Sequence, residues 1–415
     1  MSKLIVSLVP KGGEEYKYVI ENSEYRGYST TEALSKYFLE SNIDFKILLL
    51  RPESINQIEE LKIIEKIRSL GILKKNISSQ EIPITGSYEG KRYITDPKII
   101  SDFIFLSLKD NYSDEIDEII LDVSRGLNFL VLVAVEALRR FIVATKARHI
   151  LNQEKIPKFF YVYLTPINEK ERINEIILEK MDSPFFLDYF KNYDKLPFNF
   201  KDINEKEELY SEFNFIKKLL SIVNTCIYSI KRGFILAFLT ILPWKDIKLF
   251  LEEAEEKLSL NKLKELNIKF SEEKSNIIER KYNLHYPLGN LWIYIFLLFS
   301  FYEIYLKYKD KIREEDNLKW VSIETLRKFN EEIINKTFKE PGTEIIVSRE
   351  LTNFELKFKK GEKLVVEGKP SDIKRNFNAH AGLIVSFLEQ NPKNYAIAYN
   401  YQSYKNINNL LKEWF

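Results

Sequence analysis

The stretch Ile119-Ile120-Leu121-Asp122-Val123-Ser124-Arg125-Gly126-Leu127-Asn128 is the most informative junction in the chain. Apolar residues around a single Asp lack the in–out alternation of a half-exposed strand, so this run predicts a strand buried on both faces. It breaks at Ser124-Arg125-Gly126 and gives way to a long apolar helix over 128–146. The pattern repeats outward from this junction. Strands are predicted at 4–10, 44–50, 118–123 and 159–164, with helices at 31–40, 55–70, 98–106 and 128–146 between them. Strands alternating with helices of this length imply βαβ units, a mostly parallel sheet and right-handed crossovers. The N-terminal half therefore reads as α/β.

After the polar stretch 192–206 the period changes. Segments 207–229, 234–242, 245–266 and 291–309 carry the 3.6-residue repeat of helices, so this half reads as mainly α. One β island is expected inside it. Segments 344–348, 354–359 and 363–367 alternate apolar and polar residues, and Lys360-Gly361-Glu362 reads as a turn between them. A helix is expected to restart at Pro370-Ser371-Asp372 and to continue through Phe387.

Composition removes several classes. Over 415 residues, apolar residues make up 45% and charged residues 30%, an ordinary globular balance. The 63 basic and 61 acidic side chains give a charge of +2, so any nucleic-acid site must be a local patch. One Cys and three His exclude a disulfide framework and a zinc ribbon, and a reducing cytoplasmic compartment is the expectation. Met1 to Pro10 reads as a first strand and not as a signal peptide. The apolar runs 127–135, 234–244 and 291–302 are each shorter than the ~20 residues of a spanning helix, so buried core helices and no membrane partner are expected.

Two regions carry candidate chemistry. In an open parallel sheet, ligands bind outside the carboxyl ends of the strands. Ser29-Thr30-Thr31-Glu32 fits a capping box, and the helix N-terminus behind it is suited to a phosphate or ribose. At the second turn Ser124 and Arg125 supply hydrogen bonds and charge, Gly126 allows close backbone approach, and Asn128 opens the next helix. Arg51-Pro52-Glu53-Ser54 and Thr85-Gly86-Ser87 are further polar turns that would line the same crevice. There is no GxGxxG or GxxxxGKS run, which disfavours a dinucleotide or P-loop site.

The second region is Arg375-Asn376-Phe377-Asn378-Ala379-His380-Ala381-Gly382. On a helix Arg375 and His380 lie about 140° apart, whereas Asn376 and His380 share a face. Arg375, Ala379 and Gly382 would form a stripe against which a symmetric partner helix could pack, bringing two Arg and two His into one cleft. Such a set suits RNA cleavage without a metal. His moves protons to and from oxygens near neutral pH, and Arg holds a phosphate bidentately. His285 also follows an Arg by five residues, at Arg280, but Pro287 argues against a regular helix there and the pair reads as structural. His149, at a helix end, reads as a surface or dipole-compensating residue.

The Arg375–Gly382 segment resembles the R-N-x-x-A-H motif of HEPN ribonuclease domains. The N-terminal half, through Ser29-Thr30-Thr31 and Asp122–Asn128, is similar to a CARF domain, although relatives often carry His or another polar residue where Ser124-Arg125 stands. Together they resemble the Csx/Csm-type CARF–HEPN ribonucleases of type III CRISPR systems. The resemblance implies a Rossmann-like CARF domain at 1–190, a helical, winged-helix-like linker at 191–265, and a HEPN domain at 266–415 with a β insertion at 343–368. It implies that Ser29, Thr30, Thr31, Ser124, Arg125, Gly126 and Asn128 bind a cyclic oligoadenylate, with the tetramer as expected activator and neither cofactor nor metal. It implies further that Arg375, Asn376 and His380 of a homodimer, or of several dimers, cut single-stranded RNA to 2′,3′-cyclic phosphate ends. The competing reading is a nucleotide-sensing regulator that binds nucleic acid through its middle helices and cuts nothing. A sugar-nucleotide enzyme would lack a base, a metal cluster and a phosphate loop.

Overall fold

A computed structural model describes residues 2–9, 14–124, 128–168, 170–183, 207–261, 267–272, 276–282, 288–365 and 373–413. The chain forms two compact units, Met1–Phe185 with Glu255–Ile293, and Phe186–Ala254 with Tyr294–Phe415.

The first unit contains the predicted α/β sheet. Its elements run β1 Ser2–Leu8, β2 Tyr16–Ile20, β3 Ser23–Gly27, α1 Thr30–Glu40, β4 Asp44–Pro52, α2 Gln57–Ser69, β5 Ile77–Ile82, β6 Gly86–Tyr88, β7 Lys91–Thr95, α3 Pro97–Asn111, β8 Ile116–Asp122, α4 Asn128–Arg148, β9 Lys158–Asn168 and β10 Ile173–Met181. Eight strands form one sheet in the order β3-β2-β10-β9-β8-β1-β4-β5. β1 pairs in parallel with β4 and β8, β4 with β5, and β8 with β9. The chain thus leaves β1 towards β4 on one side and returns through β8 on the other. The switch point lies between the carboxyl ends of β1 and β8. Ile5, Ile47, Leu49 and Ile120 pack one sheet face against Leu34 and Phe38 of α1 and Ile67 of α2.

Three features of this unit are not apparent from periodicity. Segment 14–28 holds the β2–β3 hairpin, closed by Glu21 and Asn22 at φ 47° and 71°. Two residues in left-handed conformation match the twist of a hairpin, and Glu-Asn is a less familiar carrier of that geometry than Asn-Gly. The antiparallel strand β10 is the second. The third is a small sheet, β11-β12-β7-β6, in which β12 (Ile277–Tyr282) pairs in parallel with β7 and β11 (Asn267–Glu272) with β12. Residues 267–282 therefore pack with the N-terminal unit and not with a domain beginning at 266. Arg280 of β12 bonds Glu53 through Nε at 3.2 Å and through Nη2, and both side chains are buried. The expected boundary at residue 190 lies outside the described residues.

The second unit is mainly helical. It holds α5 Glu207–Lys231, α6 Ile235–Thr240, most of α7 Trp244–Lys257 and of α8 Leu288–Lys309, α9 Ile323–Phe329, a π-helical turn Asn330–Thr337, α10 Pro341–Lys359, α11 Ile373–Ala379 and α12 Tyr401–Glu413. Phe238 forms its aromatic centre, edge-on to Trp244, Phe301 and Phe329 at 4.9, 6.1 and 5.5 Å. β13 Ile312–Glu315, β14 Leu318–Ser322, β15 Leu388–Asn391 and β16 Ala396–Tyr399 form an antiparallel sheet ordered β13-β14-β16-β15. Helix α8 is 22 residues long, beyond the apolar run expected at 291–302; by length and composition it could cross a membrane, but 67% of its apolar window is buried in the protein.

The expected β insertion at 343–368 is corrected. Residues 341–359 form helix α10, with Pro341 in its first turn. Val347, Leu351, Phe354 and Phe358 are buried and fall at helical spacing, i, i+4, i+7 and i+11. The apolar–polar alternation read at 354–359 reflects one side of this stripe. The later part of the expected insertion, 366–368, lies outside the described residues, as does 370–372. Helix α11 is also shorter than expected. It ends at Ala379 and does not continue to Phe387.

Candidate functional site

The first candidate site forms where β1, β8 and α1 meet. Ser29 is the N-cap of α1, and its hydroxyl accepts from Glu32 N at 3.1 Å. Glu32 Oε2 in turn accepts from Tyr28 N at 2.9 Å, so the expected capping box is present, displaced by one residue on the carboxylate side. Thr30 Oγ1 lies 2.5 Å from Ser124 Oγ across 94 residues of sequence, joining the α1 start to the turn after β8. Thr31 Oγ1 donates to Ser7 Oγ of β1 at 2.7 Å and lies 3.1 Å from Asp122 Oδ2. Ser7 is 3.3 Å from the same oxygen. Ser124 bonds Asp122 Oδ1 through its N–H at 3.1 Å and through its hydroxyl.

Asp122 is thus the centre of this cluster, a role its embedding in an apolar strand concealed. It is 4% exposed, and burial pushes its carboxyl above the usual range, against the opposing hydrogen bonds from Ser124, Thr31 and Ser7. Thr30 and Thr31 are each 1% exposed, so Thr31 acts as a brace between β1, α1 and β8, and Thr30 as the link to Ser124. Both were expected to touch ligand directly. Arg125 and Gly126 lie outside the described residues; Asn128 is the first residue of α4.

A pH dependence follows from Asp122. Because its native pKa is raised, the native state binds more protons than the unfolded chain above the usual carboxylate range. Its contribution to stability is present at acid pH and is lost as pH rises through the native pKa. Thermal unfolding of Asp122→Asn against the parent should therefore show a relative stabilisation that grows from about pH 4 upward. A difference that does not vary with pH would contradict this assignment.

The remaining polar turns are engaged in structure. Arg51 bonds Glu60 at 2.8 Å, Glu81 at 2.5 Å and Ile55 O at 2.9 Å. His149, read as a surface or dipole-compensating residue, is buried directly after the end of α4, which removes the surface alternative, and its Nε2 lies 2.9 Å from the Tyr112 hydroxyl. Arg280 is held by Glu53, and His285 lies outside the described residues.

The second candidate site is the end of α11 in the second unit. His380 is the residue after the last helical one, and Gly382 N bonds Phe377 O at 2.8 Å in a Schellman-type closure. Ala381 and Gly382 take φ 49° and 75°. A buried Ala in left-handed conformation is strained, and such strain gathers at functional turns. A Cβ on Gly382 would meet Phe377, the Tyr399 hydroxyl and Phe234 at 3.1–3.2 Å. Tyr399 donates to Gly382 O at 2.9 Å, tying the turn to β16, and Phe377 packs edge-on to Phe234 at 4.6 Å.

On this turn Arg375 is exposed, Asn376 is half-buried, and His380 is 47% exposed. The helix stripe expected from Arg375 through Gly382 is interrupted by the closure, so His380 projects from a turn. Its Nδ1 lies 3.4 Å from Glu350 Oε2 on α10. Glu350 is buried, and its other oxygen accepts from Arg349 Nη2 at 3.0 Å. This carboxylate was hidden because it falls between 344–348 and 354–359, which read as strands by alternation; the helix places Glu350 on the buried side with Val347 and Phe354. Asn378 Oδ1 accepts from Tyr228 of α5 at 3.3 Å, which secures the opposite side of α11.

No curated protein matches the chain. Residues 5–166 match the family model described as CRISPR system endoribonuclease Csx1, CARF domain. The matched segment begins in β1, ends in β9 and includes the Ser7–Thr31–Asp122–Ser124 cluster. The match spans less than half of the chain and fits the N-terminal sheet to the Rossmann-like fold of a CARF domain.

Proposed function

We propose that the chain is an RNA endonuclease switched on by a cyclic oligoadenylate. The observation that carries the reading is the Arg375–Asn376–His380 set on a braced turn, with the buried Glu350 carboxylate beside His380 Nδ1 at 3.4 Å. Glu350 orients the imidazole and leaves Nε2 for the substrate. One His takes the proton from a ribose 2′-hydroxyl, and the freed oxygen attacks the adjacent phosphorus. The 5′-oxygen leaves with a proton from the second His. The products are a 2′,3′-cyclic phosphate and a 5′-hydroxyl. Arg375 holds the non-bridging oxygens as charge builds. A single turn presents one His and one Arg, so the complete site takes two copies of the chain.

The activator is assigned to the carboxyl ends of β1 and β8. The similarity to the CARF domain of Csx1 supports this, as does the topological switch point, where a phosphate-bearing ligand would meet the start of α1. The regulator reading has less support. Lys248 and Glu252 on α7 form an exposed i,i+4 pair, typical of a solvated helix face. RNA cleavage measured in EDTA, with and without cyclic tri-, tetra- and hexaadenylate, separates the readings. Stimulation of at least tenfold by one ring size, the tetramer by expectation, is the expected result; no cleavage with any ring leaves the regulator.

A further inference from the structure

The antiparallel sheet of the second unit carries a cleft outside the set on α11. It is small and open to solvent, and is lined by Lys311, Arg313, Glu315, Trp320, Asn391 and Asn394, among others. Arg313 and Trp320 are direct cross-strand partners on β13 and β14, and Glu315 follows two residues on, on the same sheet face. Trp320 is partly exposed, and among the described residues no other ring stacks on it. Arg313 and Lys311 are exposed and, among the described residues, have no carboxylate partner, although the Lys311 ammonium sits 5.2 Å from the Tyr308 ring centre. An aromatic face beside two cations, with amides at the rim, is the arrangement that binds single-stranded nucleic acid. The base stacks, the cations hold phosphate, and amides and a carboxylate meet base edges and ribose hydroxyls.

We infer that this cleft is a substrate-anchoring site for single-stranded RNA, with a base stacked on Trp320 and a phosphate held by Lys311 and Arg313. The inference rests on the nuclease reading for its purpose. β16 connects the two places, since Ala396 at one end lines the cleft and Tyr399 at the other bonds the turn of His380. Its three steps span roughly 10 Å. The cleft and the turn of His380 are thus tied to opposite ends of one short strand.

The test measures binding of a fluorescein-labelled, mixed-sequence RNA 20-mer by anisotropy, using the full chain carrying His380→Ala so that nothing is cut. Adding Trp320→Ala should weaken binding about tenfold, and Trp320→Phe, which keeps a ring, should restore most of it. Arg313→Ala should weaken binding and flatten its salt dependence. RNA binding unchanged in both Trp320→Ala and Arg313→Ala, or no RNA binding by the His380→Ala chain, overturns the anchoring site. The outcomes separate from the nuclease reading. A His380→Ala chain that still cuts removes the assignment of the chemistry to His380 but leaves a loss of binding at Trp320 intact.

Discussion

Replacing His380 with Ala is expected to reduce activated RNA cleavage by about 10²–10⁴, the usual contribution of one general acid–base group. Binding of the cyclic oligoadenylate should be unaffected, because His380 belongs to the second unit and the proposed activator site to the first. Single-turnover cleavage with saturating activator gives the rate, and calorimetry gives the activator affinity. Glu350→Gln makes the argument sharper. It keeps the shape and a hydrogen-bonding oxygen beside Nδ1 but removes the charge, so it should lower the rate less than His380→Ala does. A His380→Ala protein that cuts at the parent rate would move the chemistry to another part of the chain.

Gly233→Ala is expected to have the second large effect, this time through backbone and packing. Gly233 closes α5 with φ 72°, where any side chain is strained. Its missing Cβ would lie 2.4 Å from Val347 Cγ2, 3.0 Å from Thr343 Cγ2 and 3.3 Å from Ala381 Cβ. The first contact is with α10, which carries Glu350, and the third is with the turn that carries His380. Left-handed strain of ~1–2 kcal/mol and overpacking of ~1–3 kcal/mol together predict a loss of about 2–5 kcal/mol. For a unit of this size that lowers Tm by roughly 4–20 °C. Cleavage should fall as well, since the displaced helix and turn hold the two halves of the His–Glu pair. Val347→Ala removes the closest methyl and should recover part of the stability in the double variant. A Gly233→Ala protein with unchanged melting would show that this junction yields without cost.

Much of the first unit was legible because parallel strands are buried on both faces and announce themselves as uninterrupted apolar runs. β1, β4, β8 and β9 were readable on that basis, and so were α1 and α4. β2, β3 and β10 were not, since their tyrosines and charges give no clean alternation and their pairing depends on contacts distant in sequence. The small sheet with β12 illustrates the same limit. Its partner β7 lies some 180 residues upstream, and no local pattern points there.

The candidate sites divide along similar lines. Arg375, Asn376 and His380 were readable as a spaced motif, and Ser29 as a cap. Asp122 and Glu350 were not, because each is a carboxylate inside an apolar pattern whose partners are supplied by other elements. Asp122 looked like an interruption in a strand and proves to be the acceptor on which the hydroxyls of Ser7 and Ser124 converge, with Thr31 bonded to Ser7 beside it. Glu350 fell in the gap between two segments, 344–348 and 354–359, that read as strands. The helix that places it near His380 depends on burying Val347, Leu351, Phe354 and Phe358 together, a stripe of about three turns that competes with the alternation seen over six residues.

The excursion of the chain back into the first unit bears on how the sensor can be isolated. A protein that stops near residue 190 discards residues 255–293, and with them β12, leaving one side of β7 without its neighbour. It also strands Glu53, buried at 4% side-chain exposure, without the guanidinium that neutralises it. An open strand edge invites intermolecular pairing, and a lone buried carboxylate weakens the fold around it. An autonomous nucleotide receptor from this chain therefore has to be spliced from two separated pieces of sequence, because no single cut releases it whole.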